Sequence, residues 1–125
     1  MQEYTRLVEG PFKDEGQFKA AVLKMWREKY PKFTLFEIEN EEKEPGMPDC
    51  LTIMPDHVAV FTEFKISDKN GVITFEKTQP PFYKRNAHLR IYILAWDRRY
   101  NRAVQIMPRE VIEAKSLKIQ IPEVL

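Results

Sequence analysis

The run Leu89-Arg-Ile-Tyr-Ile-Leu-Ala-Trp96 is the most apolar in the chain and constrains the fold more than any other stretch. Its length and β-branched content suit a buried strand better than a helix. A second run, Val58-Ala-Val-Phe-Thr-Glu-Phe-Lys-Ile66, is apolar enough to be central in a sheet, although it carries Glu63 and Lys65. Between the two, Thr78 can cap a helix whose first turn holds Pro80 and Pro81, where a missing N–H costs little. That helix is expected to reach about Ala87 or His88. A helix between two strands implies a crossover, so the expected fold is α/β, a mixed central sheet with helices on its faces.

The remaining elements fit the same plan. Residues Met1 to Phe12 read as an irregular lead-in ending at the turn signal Gly10-Pro11. Asp14 is a plausible N-cap with Gln17 as its capping-box partner, and Phe18, Ala21, Val22, Met25 and Trp26 follow at helical spacing. This predicts a helix from about Glu15 to about Tyr30, stopped by Pro31. Residues 33–39 read as a strand, 41–45 as a polar connection, and Gly46-Met47-Pro48 as the return to the sheet. Cys50–Met54 and Val58–Ile66 are expected to pair as a hairpin. Ser67 to Gly71 is a turn, and Val72 to Phe75 a short extended piece. Ala103 to Met107 reads as a strand, Pro108 opens a short helix to about Lys115, and Leu117 to Ile121 is a last strand or an extended arm. The expected order is α-β-β-β-α-β-β, then the short helix.

With 125 residues, 43% hydrophobic and 31% charged, the chain fits one domain over residues 1–125 and has no room for two. Such a length buries roughly two-thirds of its unfolded surface, enough for a core without metal or disulfide staples. Cys50 is the one cysteine, so no internal disulfide is available and a reducing compartment is expected. No apolar run approaches the ~18 residues that span a bilayer, and the first six residues do not resemble a signal peptide. The expected location is cytoplasmic.

Net charge is +1, but its distribution is uneven. From Glu37 to Asp49 the acids Glu37, Glu39, Glu41, Glu42, Glu44 and Asp49 face Lys43 alone. From Lys77 to Arg102 the bases Lys77, Lys84, Arg85, Arg90, Arg98, Arg99 and Arg102 face Asp97 alone. Such asymmetry can focus a polyanion onto one surface, while any single residue of the set can equally belong to a solvated face.

Asp49 follows the Gly-Met-Pro turn, and Glu63 and Lys65 stand two apart on a strand, hence on one face. If the hairpin forms, the three meet at one edge of the sheet. Two carboxylates beside an ammonium bind a hard divalent cation and keep a positive group near an attacking water. The same residues can also be read as a surface ion pair, worth at most ~1 kcal/mol. Against that, charges in a central strand need a partner, a metal or the mouth of a cleft. Glu15 heads the inward stripe of the first helix, where it can also simply complement the helix dipole. His57 and His88 lack metal spacing with the acids and are read as structural, and Cys50 faces away from Asp49.

Gly46-Met47-Pro48-Asp49, an apolar strand and Glu63-Phe64-Lys65 together resemble the PD-(D/E)xK nuclease superfamily, whose fold is restriction-endonuclease-like and includes archaeal Holliday-junction resolvases. Glu15 matches the helix acid of many members, and Gln79 with Tyr83 resembles the Gln-x-x-x-Tyr motif of RecB-type and related nucleases such as the VRR-NUC group. The resemblance covers residues from about Glu15 to Trp96. It implies that Asp49, Glu63 and the Phe64 carbonyl hold Mg²⁺ or Mn²⁺, with Glu15 acting through water or a second ion. It implies that Lys65 orients or helps deprotonate the attacking water and that Gln79 positions substrate or the lysine.

The implied activity is that of a metal-dependent deoxyribonuclease, an endonuclease leaving 5′-phosphates. The implied substrate is branched or structured DNA, as in repair and recombination, and the implied assembly a homodimer. Lys84, Arg85, Arg90, Arg98, Arg99 and Arg102 are candidates for phosphate contacts, and Tyr83 or Tyr100 for stacking on a base, with Arg90 read alternatively as the entrance to a buried strand and the rings as core. The alternative is a non-catalytic nucleic-acid-binding or protein-interaction module that retains the nuclease fold. The apolar tail from Ile119 to Leu125 is read either as part of a dimer interface or as cover for a sheet edge.

Overall fold

The computed structural model describes residues 1–4, 8–38 and 44–123. The acids Glu39, Glu41 and Glu42, most of the 41–45 connection and the last two residues of the tail therefore lie outside the described residues. The chain runs β1 (Gln2–Tyr4), α1 (Glu15–Lys29), β2 (Thr34–Glu37), β3 (Cys50–Ile53), β4 (Ala59–Ile66), β5 (Val72–Thr74), α2 (Gln79–Arg85), β6 (Ile91–Asp97), β7 (Arg102–Ile106), α3 (Pro108–Ala114) and β8 (Lys118–Gln120). Six strands form one mixed, mostly antiparallel sheet in the order β1-β7-β6-β4-β3-β2. The two apolar runs lie at its centre as the parallel pair β4 and β6, joined by the crossover through α2.

Three departures from the sequence reading have physical causes. The lead-in is not wholly irregular, because Gln2, Glu3 and Tyr4 pair with Gln105, Val104 and Ala103 as an edge strand. Three residues are too few to show alternation, so only the waiting edge of β7 makes them a strand. The two short extended pieces do not join the sheet but pair with each other, Ile73 opposite Ile119, in a separate ribbon. The tail as far as Ile121 is used by its own chain, since Ile121 is fully buried.

Each face of the sheet has its own core. Asp14 caps α1 by accepting from the Gln17 N–H at 2.8 Å, and the Gln17 side chain accepts in turn from Lys13, one residue outside the cap. The helix lays Phe18, Val22 and Leu23 on Cys50, Phe64, Leu94 and Trp96. Phe18 meets the rings of Phe64 and Trp96 at 5.9 and 5.5 Å between centroids. On the opposite face α2, α3 and the ribbon bring Phe82, Tyr83, Val111, Ile73, Phe75 and Ile121 onto Ile93, Ala95, Val104 and Ile106. Alternation along β4 therefore sends Phe64 toward α1, and Glu63 and Lys65 toward α2 and Phe75.

Gly46 fixes how the loop before β3 meets α2. Its φ is +87°, a region that L side chains rarely occupy, and a Cβ there would lie 2.2 Å from the Thr78 carbonyl oxygen and 2.8 Å from Phe82 Cβ. Backbone lies directly against backbone at this point, three residues before Asp49 and one before Gln79. Gly46→Ala should lower stability by about 2 kcal/mol or more in urea unfolding, combining left-handed strain with the clash. An unchanged midpoint would show that the loop does not depend on this contact.

Candidate active site

The site forms where β3 stops short of β4. The ladder between them ends at Cys50 opposite Thr62, which leaves the Phe64 amide, two residues on, without a strand partner on that side. Asp49 fills that place with its side chain, Oδ2 accepting from the Phe64 N–H at 3.0 Å. Its own carbonyl accepts from Ile38 at 2.7 Å, so the residue is tied to strands on both sides. In a strand the N–H and C=O of one residue leave on the same side. The Phe64 carbonyl therefore faces the same gap as the Asp49 carboxylate.

Glu63 is 4% exposed and Lys65 8% exposed, so both charges are inside the protein. Gln79 Nε2 donates to Glu63 Oε1 at 2.9 Å, and Gln79 Oε1 accepts from the Glu76 N–H at 2.8 Å. The second bond fixes which end of the amide faces the carboxyl. Gln79 opens α2 and precedes Pro80, so the proline pair bounds the helix rather than displacing the residue from it. Burial raises the Glu63 carboxyl far above the ordinary carboxylate range. A hydrogen bond with Asp49 and the Asp49 charge raise it further, and Lys65 offsets only part. Burial also raises Glu15 at the head of α1, where Lys65 opposes the shift and Asp49 adds to it. Five of the expected residues, Glu15, Asp49, Glu63, Lys65 and Gln79, are thus in mutual electrostatic or hydrogen-bond reach.

The other expected residues fall elsewhere. Tyr83 is 1% exposed, which removes it from base stacking in this conformation. Its hydroxyl is buried without a hydrogen-bond partner among the described residues, and burial followed by the charges of Glu63, Asp49 and Glu76 raises its pKa. Lys84, Arg85, Arg90 and Arg98 are exposed, and Arg85 pairs with Glu44 at 3.0 Å. Arg99 and Arg102 both hold the fully buried Asp97, at 3.0 and 3.1 Å. Two neighbours of the site escaped the sequence reading. Phe75 lies with its ring 5.1 Å from Lys65 Nζ, and Glu76 bears on both Glu15 and Tyr83.

The donor set suits a hydrated divalent cation. Two carboxylates and a strand carbonyl are hard oxygen ligands, and Mg²⁺ commonly takes one or two carboxylates and keeps its remaining waters. Among the described residues no three carboxylate, imidazole or thiol groups are grouped as a metal site. Burial raises the Glu63 carboxyl and leaves the Tyr83 hydroxyl without a hydrogen-bond partner among the described residues. Searches of family models, curated proteins and solved structures found no match.

A carboxyl whose folded pKa is raised contributes stability that is complete below its unfolded value and is lost as pH rises through the folded one. In chelator, the wild type should therefore lose several °C of melting temperature, about 4 °C or more, between pH 5 and pH 8. Glu63→Gln, which mimics the protonated carboxyl, should flatten that dependence and melt above wild type at pH 8. Parallel pH profiles for the two proteins would refute this account of the pair.

Proposed function

We propose that this chain is a metal-dependent nuclease of the PD-(D/E)xK type, with a restriction-endonuclease-like fold, that hydrolyses phosphodiester bonds in branched or structured DNA as a homodimer. The observation that carries the reading is the approach of half-buried Asp49 and buried Glu63 near Lys65, with Glu63 held by Gln79. A structural ion pair needs one acid per base. Here two acids share one lysine, with Glu15 as a third acid close by.

Asp49, Glu63 and the Phe64 carbonyl would hold Mg²⁺ or Mn²⁺, with Glu15 engaged through water. Such an ion lowers the pKa of a bound water and offsets charge on phosphate oxygens. The chain's own groups do the rest. Asp49 cannot swing away, because its carboxylate is pinned on the Phe64 amide. Gln79 holds Glu63 in one orientation through an amide that is itself fixed by the Glu76 N–H. Lys65 offers its ammonium to the attacking water and to a non-bridging phosphate oxygen, balancing charge as it develops. Water adds to phosphorus and the bond to the 3′ oxygen breaks, leaving a 3′-hydroxyl and a 5′-phosphate. Of the expected cations, exposed Lys84, Arg90 and Arg98 are left to contact the backbone, whereas Arg85 pairs with Glu44 and Arg99 and Arg102 are committed to Asp97. Resolution of a four-way junction requires two nicks, hence two copies of the site.

Asp49→Ala, Glu63→Ala and Lys65→Ala should each reduce Mg²⁺-dependent cleavage by ~10²-fold or more while leaving DNA binding largely intact. The assay is a panel of single-stranded, duplex, nicked, flapped and four-way-junction DNA, with light scattering at the same protein concentration. Undiminished cleavage by Lys65→Ala would remove the assignment, and a monomer at cleaving concentrations would remove the paired-site version.

A further inference from the structure

We infer that Phe75 is a positioning residue for Lys65 and that the C-terminal arm sets where Phe75 stands; the inference rests on the role proposed above for Lys65. The Lys65 ammonium lies over the Phe75 ring, 5.1 Å from its centroid, and the ring is 1% exposed. An aromatic face attracts a cation, more strongly where water is excluded. Lysine is a point charge on a flexible four-carbon stem, and Glu63 and Glu15 both draw on this one. A ring carries no formal charge. It can fix the end of the stem without cancelling the positive charge before a phosphate arrives.

Phe75 owes its own place to the arm. Its N–H donates to the Leu117 carbonyl at 2.7 Å, just beyond the three β5–β8 pairs. The far end of β8 is tied down by the arginines on Asp97. Arg99 Nη2 donates to the Ile121 carbonyl at 2.8 Å, and Arg102 Nη2 donates to the Pro122 carbonyl. Burial alone would raise the Asp97 carboxyl, but hydrogen bonds from Arg99 and Arg102 hold it below the ordinary value, so this anchor stays charged. Gly71 lets the turn before β5 lie against the same clamp, where a Cβ would fall 2.2 Å from the Arg99 guanidinium carbon. An unbroken run of contacts thus leads from Asp97 through the arm and Phe75 to Lys65.

The test compares wild type, Phe75→Leu and Phe75→Tyr by two readouts, after thermal melts establish that each protein folds. The first, NMR, needs neither metal nor DNA. Ring shielding should place the Lys65 Hε protons upfield of the other lysines in wild type and Phe75→Tyr, and among them in Phe75→Leu. The second is cleavage of labelled four-way-junction DNA with Mg²⁺. There kcat should fall about threefold to thirtyfold in Phe75→Leu, with KM unchanged and Phe75→Tyr near wild type. Unshifted Lys65 protons in wild type overturn the contact. A retained kcat in Phe75→Leu, or an equal loss in a Phe75→Tyr protein that keeps the shielding, overturns the positioning role. If wild type cleaves nothing, the nuclease reading fails while the ring shift still decides what holds Lys65.

Discussion

The structure turns on two ionisable side chains, Glu63 and Lys65, in a strand that has neighbours on both edges and cover on both faces. Burying a charge in such a place is costly unless other groups compensate. Groups from four separate parts of the chain converge on the two charges. The loop at Gly46 delivers Asp49, the first turn of α2 delivers Gln79, the end of β5 delivers Phe75, and the head of α1 brings Glu15. The site is thus the point where the layers of the fold meet rather than an ornament on one loop.

Asp97 shows that this chain can also neutralise a buried carboxylate fully. It lies at the end of β6 with two guanidiniums on its oxygens, and its pKa falls below the ordinary value. Glu63 has an amide, one shared lysine and a second acid for company, and its pKa rises. Arginine's planar fork satisfies a carboxylate through two parallel hydrogen bonds, whereas Glu63 is buried with an ammonium that offsets only part of its shift. The first arrangement is complete as it stands.

Much of this was legible in the sequence wherever a signal was local and repeated. The central strands announced themselves by apolar length, α1 by its Asp14 cap and helical stripe, and α3 by Pro108 ahead of Glu110. The hairpin followed from two runs around Pro55-Asp56-His57, where His57 adopts a positive φ of 69°. What escaped the sequence depends on partners far along the chain. β1 is a strand only because β7 offers an edge, and β5 and β8 each look indifferent until paired. Arg99 and Arg102 looked like part of a basic surface, since nothing local says that Asp97 turns inward and takes both. Tyr83 shares the Gln79 helix, as the spacing of four implied, yet the packing of Phe82 and Tyr83 under the sheet buries it.

Burial and the neighbouring Asp49 favour a protonated Glu63, and the divalent cation proposed above would displace that proton. Calorimetric titration of Mn²⁺ into the wild-type protein at pH 7, repeated in buffers of different ionisation enthalpy, reads that proton directly. The account predicts binding with release of about one proton per ion, lost in Glu63→Gln. Binding that releases none, or no binding at all, would contradict it.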